Sequence, residues 1–346
     1  MTNLEFTFPI VLLEGAPRTR GRQHGEQFRN EIAAALAVLR RAHDSAAFAL
    51  AQARAEAAWP MILSRAPDIA DELRGIAEGS ATQLMENLLR VGFEFFDAPS
   101  PTGCTALAFK GPQGAILGQN WDAPPDAAKD LALFIHVGPQ GFEYAVIASV
   151  GGLAWVGCNR HGLVLLNTDL MLCSRTPGLP SQIIRRIILR EASVKAALVP
   201  MRSLPHMAGR SYLLGDSTGD VAGVEVSTSR GVRVNQRTPP VLHTNHALDP
   251  DITGDEDETA LMKTYPSSRH RLQVLQRFAP GVSSVNQLAA VLGNREGVPN
   301  AICKDHSEAE PTQTAFSIIA DCGKRVLHVC PGSPAAHAYQ PVLLPA

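Results

Sequence analysis

Ala98-Pro-Ser-Pro-Thr-Gly-Cys-Thr105 divides the sequence into two parts of different character. Its two prolines prevent a helix from continuing, and its glycine permits an unusual backbone turn. Before it, residues 21–96 are rich in Ala, Leu, Arg and Glu, with apolar residues at helical spacing. After it come short runs rich in β-branched and aromatic residues, divided by Gly, Pro or Asn. The sequence therefore predicts a helical first part, then a sheet, with Cys104 at the boundary.

The second part alternates strands with a few helices. The predicted strands are residues 105–109, 115–119, 131–137, 144–149, 153–158, 163–167, 211–214, 221–226, 241–244, 316–320 and 326–329. Helices are predicted at 183–198, 268–278 and 285–292, and the acidic stretch from Asp249 is predicted to be a solvated loop. Tight turns favour antiparallel pairing over repeated βαβ crossovers, so a layered α/β sandwich is expected.

Composition excludes several classes of function. The 346 residues are 45% hydrophobic and 18% charged, with a formal net charge of -2, which gives no electrostatic preference for nucleic acid or anionic membrane. The first 21 residues have no basic lead, and Pro9 and Glu14 interrupt their apolar stretch, so neither a signal peptide nor a membrane helix is predicted. We therefore expect a cytoplasmic protein. The six cysteines form no CxxC pair, so we expect reduced thiols and no structural zinc site.

Cys104 alone says little about function, because a cysteine that starts a buried strand usually packs as a small apolar side chain. Three later segments add polar groups at predicted strand ends: GQNWD at 118–122, NRHGL at 159–163 and HTNH at 243–246. Together with Cys104, these segments are the residues from which a catalytic site can be built.

These segments, in this order, resemble the isopenicillin N acyltransferase family, the acyl-coenzyme A:6-aminopenicillanate acyltransferase-like family of N-terminal-nucleophile hydrolases. The resemblance extends to RGRQHGEQ at 20–27, SSRHR at 267–271 and the closing pattern from Phe316 to Pro334. It implies an α+β fold, an αββα sandwich with two mostly antiparallel sheets between helical layers. It also implies cleavage between Gly103 and Cys104, giving a helical segment of residues 1–103 that stays in the fold and a catalytic domain of residues 104–346.

The implied chemistry is consistent with the residue types. A cysteine thiol can attack the preceding carbonyl and form a thioester, which water then hydrolyses. The freed α-amino group has an ordinary pKa of about 7.7 to 8.0, so it can act as a base towards its own thiol. The resemblance therefore predicts a self-processing cysteine amidohydrolase or acyltransferase for a small amide, with water or an amine or thioester co-substrate as partner. No cofactor is required.

The resemblance also assigns roles to other residues. Asn245 is predicted to donate to the oxyanion and Asp122 to orient the Cys104 α-ammonium group, although both residue types also cap ordinary turns. Candidate substrate-binding residues are Asn159, Arg269 and Lys304. Lys304 stands where relatives often carry arginine, which weakens its assignment because lysine lacks the planar guanidinium fork.

One alternative is disfavoured by the sequence and another remains open. His243 and His246 suggest a metal site, but no third ligand is evident and positions three apart on a strand face opposite ways, so no metal is predicted. A non-processing scaffold or small-molecule binding protein on the same fold would keep Cys104 inert. The mass of the purified protein, as one polypeptide or two, distinguishes this alternative from the enzyme.

Overall fold

Residues 9–97 and 102–345 are described by the computed structural model, in which the strands form two sheets. The strands are β1 (Ile10–Glu14), β2 (Gly103–Gly111), β3 (Gly114–Ala123), β4 (Leu131–Gly138), β5 (Gly141–Ser149), β6 (Val156–Asn159), β7 (Val164–Asp169), β8 (Arg210–Gly215), β9 (Val221–Ser227), β10 (Gly231–Gln236), β11 (Val241–His243), β12 (Gln313–Asp321), β13 (Val326–Pro331) and β14 (Gln340–Leu343). One sheet has the order β1-β4-β5-β6-β7-β8-β9-β10, and the other has the order β11-β2-β3-β12-β13-β14. Neighbouring strands are antiparallel, apart from the parallel pair β1 and β4.

Helices cover the outer faces of the sheets. They are α1 (Pro17–Gln27), α2 (Arg29–Ala42), α3 (Ser45–Arg65), α4 (Pro67–Ser80), α5 (Leu84–Val91), α6 (Ser181–Ile188), α7 (Val194–Ser203), α8 (Pro250–Thr253), α9 (Glu258–Thr264), α10 (Ser268–Phe278) and α11 (Val285–Leu292). Prolines begin α1 and α4, where the missing N–H costs nothing, and Asp44 caps α3 by accepting from Ala47 N. In the part of the chain that the structure describes, no helix has the length and apolarity needed to cross a bilayer.

Alternation along the strands produces a layered core. On β4, Leu131 and Leu133 face the other sheet, whereas Ala132 and Phe134 face the helices of the first part together with α6 and α7. On the far side of the six-stranded sheet, side chains such as Ile319 pack against α10 and α11. Both faces of the inner strands are buried, so these strands are rich in apolar residues, whereas β1, β10 and β14 at the sheet edges are partly exposed. The predicted α+β class, an αββα sandwich with two mostly antiparallel sheets, is confirmed.

Four glycines allow α1 and α4 to pack with their backbones in contact. Gly21 and Gly25 lie one turn apart on α1, and Gly75 and Gly79 lie one turn apart on α4. A Cβ atom at any of the four would lie between 2.0 and 2.3 Å from a backbone oxygen of the other helix. The helical first part is therefore built around a glycine contact that does not tolerate a larger side chain.

Several elements differ from the sequence prediction. β1, β10 and β14 were not predicted, and β1 adds a strand of the first part to the edge of the eight-stranded sheet. The predicted helix at 183–198 divides into α6 and α7, because the chain turns after Ile188 and Ser193 caps a new helix by accepting from Ala196 N. The predicted acidic loop from Asp249 instead forms α8 and α9, which Asp249 and Asp257 cap with their own side chains.

Candidate active site

Cys104 is the second residue of β2 and is only 2% exposed. In the hairpin of β2 and β3 it lies opposite Trp121, and Gly103 lies opposite Asp122. A Cβ atom on Gly103 would lie 3.2 Å from Asp122 Oδ2, so this carboxylate lies against the peptide bond that precedes Cys104. The hairpin register therefore brings the predicted carboxylate to the predicted cleavage position.

Asn245 follows β11 and contacts Cys104 through its side-chain amide. Its Oδ1 accepts a hydrogen bond from Cys104 N at 2.8 Å and another from Arg271 Nη2 at 2.8 Å. Both partners can only donate, so the orientation of the amide is fixed. Its Nδ2 donates to Asp169 O at 3.2 Å, and Nδ2 carries a second hydrogen that can donate elsewhere. Ser268 Oγ accepts from Asn245 N and fixes the backbone.

Arg271, on α10, is a site residue that the sequence analysis did not identify. Its Nη1 donates to Cys104 O and, at 2.8 Å, to Thr105 Oγ1, and its Nε donates to Ser267 Oγ at 3.0 Å. With its bond to Asn245, the guanidinium group holds Cys104 and the amide beside it at the same time. The side chain is fully buried, and this burial lowers the pKa of Arg271 against the opposing influence of Asp122.

Arg269, the residue predicted from the sequence, lies on another face of the same helix. Its side chain is 48% exposed and binds Glu258 through both terminal nitrogens, at 2.6 Å each. Residues two apart on an α-helix point about 200° apart. The spacing of Arg271 to the buried Val274 and Leu275 marks it as the inward residue, and this periodicity is the signal that would have identified it.

Asp122 is fully buried at the end of β3. Thr314 Oγ1 donates to its Oδ1 at 2.8 Å, whereas its Oδ2 has no hydrogen-bond partner in the described residues. Burial raises the pKa of Asp122, although the charges of Lys304 and Arg271 oppose the change. Lys304 is itself buried, and its Nζ donates to Glu310 Oε2 at 2.6 Å. The charge of Lys304 therefore acts on Asp122, although Lys304 is already ion-paired with Glu310.

The surroundings of Cys104 keep its thiol protonated. Burial has the largest effect and raises the pKa of the thiol well above its ordinary value, and Asp169 and Asp122 raise it further. Arg271 and Arg185 lower the pKa of the thiol by a smaller amount. In the intact chain, the nucleophile therefore needs a base to take its proton as it attacks.

Asn159 lies at a different place. Its Nδ2 donates to Leu189 O and Glu191 O, and its Oδ1 accepts from His161 N and Leu163 N, so all of its hydrogen bonds organise two turns. The adjoining turn packs at the hairpin end of β2 and β3, opposite to Cys104. The structure does not bring Asn159 to the Cys104 cluster.

The two histidines beside Asn245 are both buried and hydrogen-bonded to protein groups. His243 Nε2 lies 2.9 Å from Glu225 Oε1 and its Nδ1 lies 2.6 Å from Thr168 Oγ1. His246 Nδ1 lies 2.8 Å from Ser268 Oγ. Within residues 9–97 and 102–345, no group of three His, Cys, Asp or Glu side chains is arranged to hold a metal ion. Both histidines instead support the loop that carries Asn245.

Comparison with known proteins identifies relatives over most of the chain. The family model described as acyl-coenzyme A:6-aminopenicillanic acid acyl-transferase matches residues 109–336. The acyl-coenzyme A:6-aminopenicillanic-acid-acyltransferase 40 kDa form of Emericella nidulans is 26% identical over 322 residues, which are 90% of this chain and 89% of that protein.

Two solved structures are also similar. Penicillin V acylase from Agrobacterium tumefaciens is 15% identical, with a TM-score of 0.40, over 66% of this chain and 83% of its own. The N-acylethanolamine-hydrolyzing acid amidase orthologue of Caenorhabditis elegans is 16% identical, with a TM-score of 0.42, over 64% of this chain and 93% of its own.

Helical layers enclose two sheets, with Cys104 at the start of a strand in one of them, which is the αββα sandwich predicted from the resemblance to N-terminal-nucleophile hydrolases. The chain belongs to the acyl-coenzyme A:6-aminopenicillanic acid acyl-transferase family, because the family model matches well over half of it. The family model and the Emericella nidulans relative are both described as acyltransferases, so the predicted enzyme class of amidohydrolase or acyltransferase is confirmed.

Proposed function

We propose that this chain cleaves itself between Gly103 and Cys104 and then cleaves or transfers the acyl group of a small amide through a Cys104 thioester. The observation that carries the proposal is the hydrogen bond from Cys104 N to Asn245 Oδ1, in an amide that Arg271 fixes. Cys104 N is the atom that self-cleavage would convert into the catalytic α-amino group. Any buried backbone N–H needs an acceptor, and what supports a catalytic role here is that the acceptor is a side-chain amide with a donor of its own beside Cys104.

Self-cleavage would begin with attack of the Cys104 sulfur on the Gly103 carbonyl carbon. The C–N bond breaks, the nitrogen receives a proton as it becomes an amine, and a thioester links the two segments. Water then hydrolyses the thioester, leaving a carboxylate on Gly103 and a free thiol and amine on Cys104. The Asp122 carboxylate, beside Gly103, is positioned to bind the resulting α-ammonium group.

Residues 1–103 would stay in the fold after this cleavage. Their strand β1 pairs with β4 at the edge of the eight-stranded sheet, and their Glu72 forms a buried ion pair with Arg186 of the second part. Their helices also share one apolar core with the eight-stranded sheet. Because separating the segments would expose this core to water, we expect them to remain associated.

In turnover, the α-amino group would take the thiol proton as the sulfur attacks the substrate carbonyl. Asn245 Oδ1 accepts from the amine, and its second Nδ2 hydrogen donates to the developing oxyanion. The leaving amine receives the proton, and the acyl group remains on Cys104. Water then releases the acid, or a second amine accepts the acyl group.

The relative from Emericella nidulans is named for an acyl-coenzyme A and 6-aminopenicillanic acid, a thioester and an amine. For this chain we propose a small amide with water as acceptor, and an amine or a thioester as co-substrate in the transferase version. Lys304 is the candidate for the substrate side of the site, since its charge already acts on Asp122. The proposed location is the cytoplasm, which is supported by six free cysteines.

The proposal is tested by incubating the purified protein with a panel of small N-acyl amides. We expect amine release, and the segment that begins with Cys104 should gain the mass of the acyl group when the reaction is quenched early. Cys104→Ala should show neither signal. Cys158→Ala is the matched control, because Cys158 is also 2% exposed on a strand and its buried thiol has a pKa raised to about 12. Equal activity in wild type and Cys104→Ala would refute the proposal.

A further inference from the structure

The helical first part reaches the candidate site through Glu94, in the short 3-10 helix Phe93–Phe95. Glu94 is 4% exposed, and its Oε1 accepts from Arg210 Nη2 at 2.8 Å and from Ser181 N at 3.0 Å. Glu94, Arg210 and Asp169 line the same small cavity. Glu94, which precedes the proposed cleavage position, is therefore bound by Ser181 and Arg210, which both follow it.

From Arg210 the contacts continue to Cys104. Arg210 lies opposite Asp169 in the pairing of β7 and β8, and its Nε lies 3.3 Å from Asp169 Oδ1. Asp169 O accepts from Asn245 Nδ2, and Asn245 Oδ1 accepts from Cys104 N. Asp169 therefore connects the two halves of this path: its carboxylate is ion-paired with Arg210, and its main-chain oxygen binds Asn245, which holds the nitrogen that would become the catalytic amine.

A second ion pair between the same two parts of the chain has no such connection. Glu72 and Arg186 are each 3% exposed and 2.5 Å apart, so this pair matches Glu94 and Arg210 in burial and in joining the two parts. In the described residues, no hydrogen bond links Glu72 or Arg186 to Cys104. The Glu72–Arg186 pair therefore serves only to attach the first part to the second, whereas the Glu94–Arg210 pair is also connected to Cys104.

We propose that Glu94 is a positioning residue of the mature active site, which the first part supplies to Cys104 through Arg210, Asp169 and Asn245. The inference rests on the proposed function. Glu94 holds Arg210 against Asp169, and Asp169 in turn fixes the amide that holds the α-amino group. Glu94 and Asp169 place two negative charges on this path, against the positive charges of Arg210 and Arg185, so removing the Glu94 charge disfavours the protonated form of the α-amino group.

The test is the pH dependence of kcat/KM for Glu94→Gln, which keeps a hydrogen-bond acceptor for Ser181 N but removes the charge. The charged or titratable groups near Cys104 are Asp122, Asp169, Tyr265, Arg185 and Arg271, and Glu94 lies beyond Asp169 and Arg210. Removing one negative charge lowers the pKa of the α-ammonium group, so the free amine forms at lower pH. We expect the acid limb of the profile to move down by about one pH unit. The plateau should also fall, because Asn245 is held less firmly.

Glu72→Gln is the control, and it should lower the melting temperature without moving the acid limb. If Glu94→Gln folds poorly, Asp169→Asn removes a charge one step closer to Cys104 and should move the limb in the same direction. An unchanged acid limb in folded Glu94→Gln overturns the inference, as does an unchanged limb in Asp169→Asn where that variant replaces it, or an equal movement in Glu72→Gln. If wild type does not divide before Cys104, the proposed function fails first and the inference fails with it.

Discussion

Arg271→Lys should slow self-cleavage without preventing folding. Arg271 donates to Cys104 O, Thr105 Oγ1 and Asn245 Oδ1, and the planar fork reaches all three at once. Lysine keeps the charge but cannot reproduce this geometry, so we expect about two of these bonds to be lost. A hydrogen bond to a charged group contributes about 1.5 kcal/mol or more, so the loss is about 3 kcal/mol. If that loss acts on the transition state, cleavage becomes about 100-fold slower.

The assay follows the ratio of intact chain to fragments after rapid refolding of the denatured precursor. Arg269→Lys is the matched control, since Arg269 lies two residues away on the exposed face of the same helix. We expect Arg269→Lys to cleave at the wild-type rate. Wild-type cleavage by Arg271→Lys, or an equal slowing in both variants, would refute the role assigned to Arg271.

Two further predictions concern stability. Alanine in place of Gly25 would put a Cβ atom 2.3 Å from Ile76 O, so we expect Gly25→Ala to lower the free energy of unfolding in urea by about 2 kcal/mol. Gly281→Ala is the control and should change it little, because a Cβ atom there would have nothing within 4 Å. A loss no greater in Gly25→Ala than in the control would contradict the close helix contact. Burial lowers the pKa of His24 to about 4 in the folded protein. The neutral ring is therefore favourable to folding above pH 6.5, and the free energy of unfolding decreases by about 3 kcal/mol as the pH falls from 6.5 to 4. His24→Gln keeps an acceptor for Gly151 N and should lose less stability than wild type between pH 7 and pH 4.5, and equal losses would contradict the assignment.

Local patterns predicted most of the elements, because buried strands and amphipathic helices have recognisable periodicities. β1 was not predicted for a physical reason: it exposes Ile10 and Leu12, so its sequence lacks the polar alternation of a half-buried strand. The short helices α8 and α9 were also not recognised. Their acidic residues were interpreted as solvated, whereas Asp249 and Asp257 cap helices.

The candidate site was predictable in part. Cys104, Asp122 and Asn245 were selected through the family resemblance, and the structure brings them together through the β2–β3 hairpin and the loop after β11. Arg271 was not selected, because its helical spacing to the apolar Val274 and Leu275, which marks the inward face of α10, was not used to choose between it and Arg269. The role proposed for Glu94 depends on contacts between residues far apart in the sequence, and no local sequence pattern indicates such contacts.

The most direct measurement is the intact mass and N-terminal sequence of purified wild type beside Cys104→Ala. We expect wild type to yield two polypeptides, residues 1–103 and 104–346, with the second beginning at Cys104. Cys104→Ala should remain one chain of 346 residues. A folded wild type that remains as one chain would contradict self-processing, and with it the catalytic use of the Cys104 α-amino group.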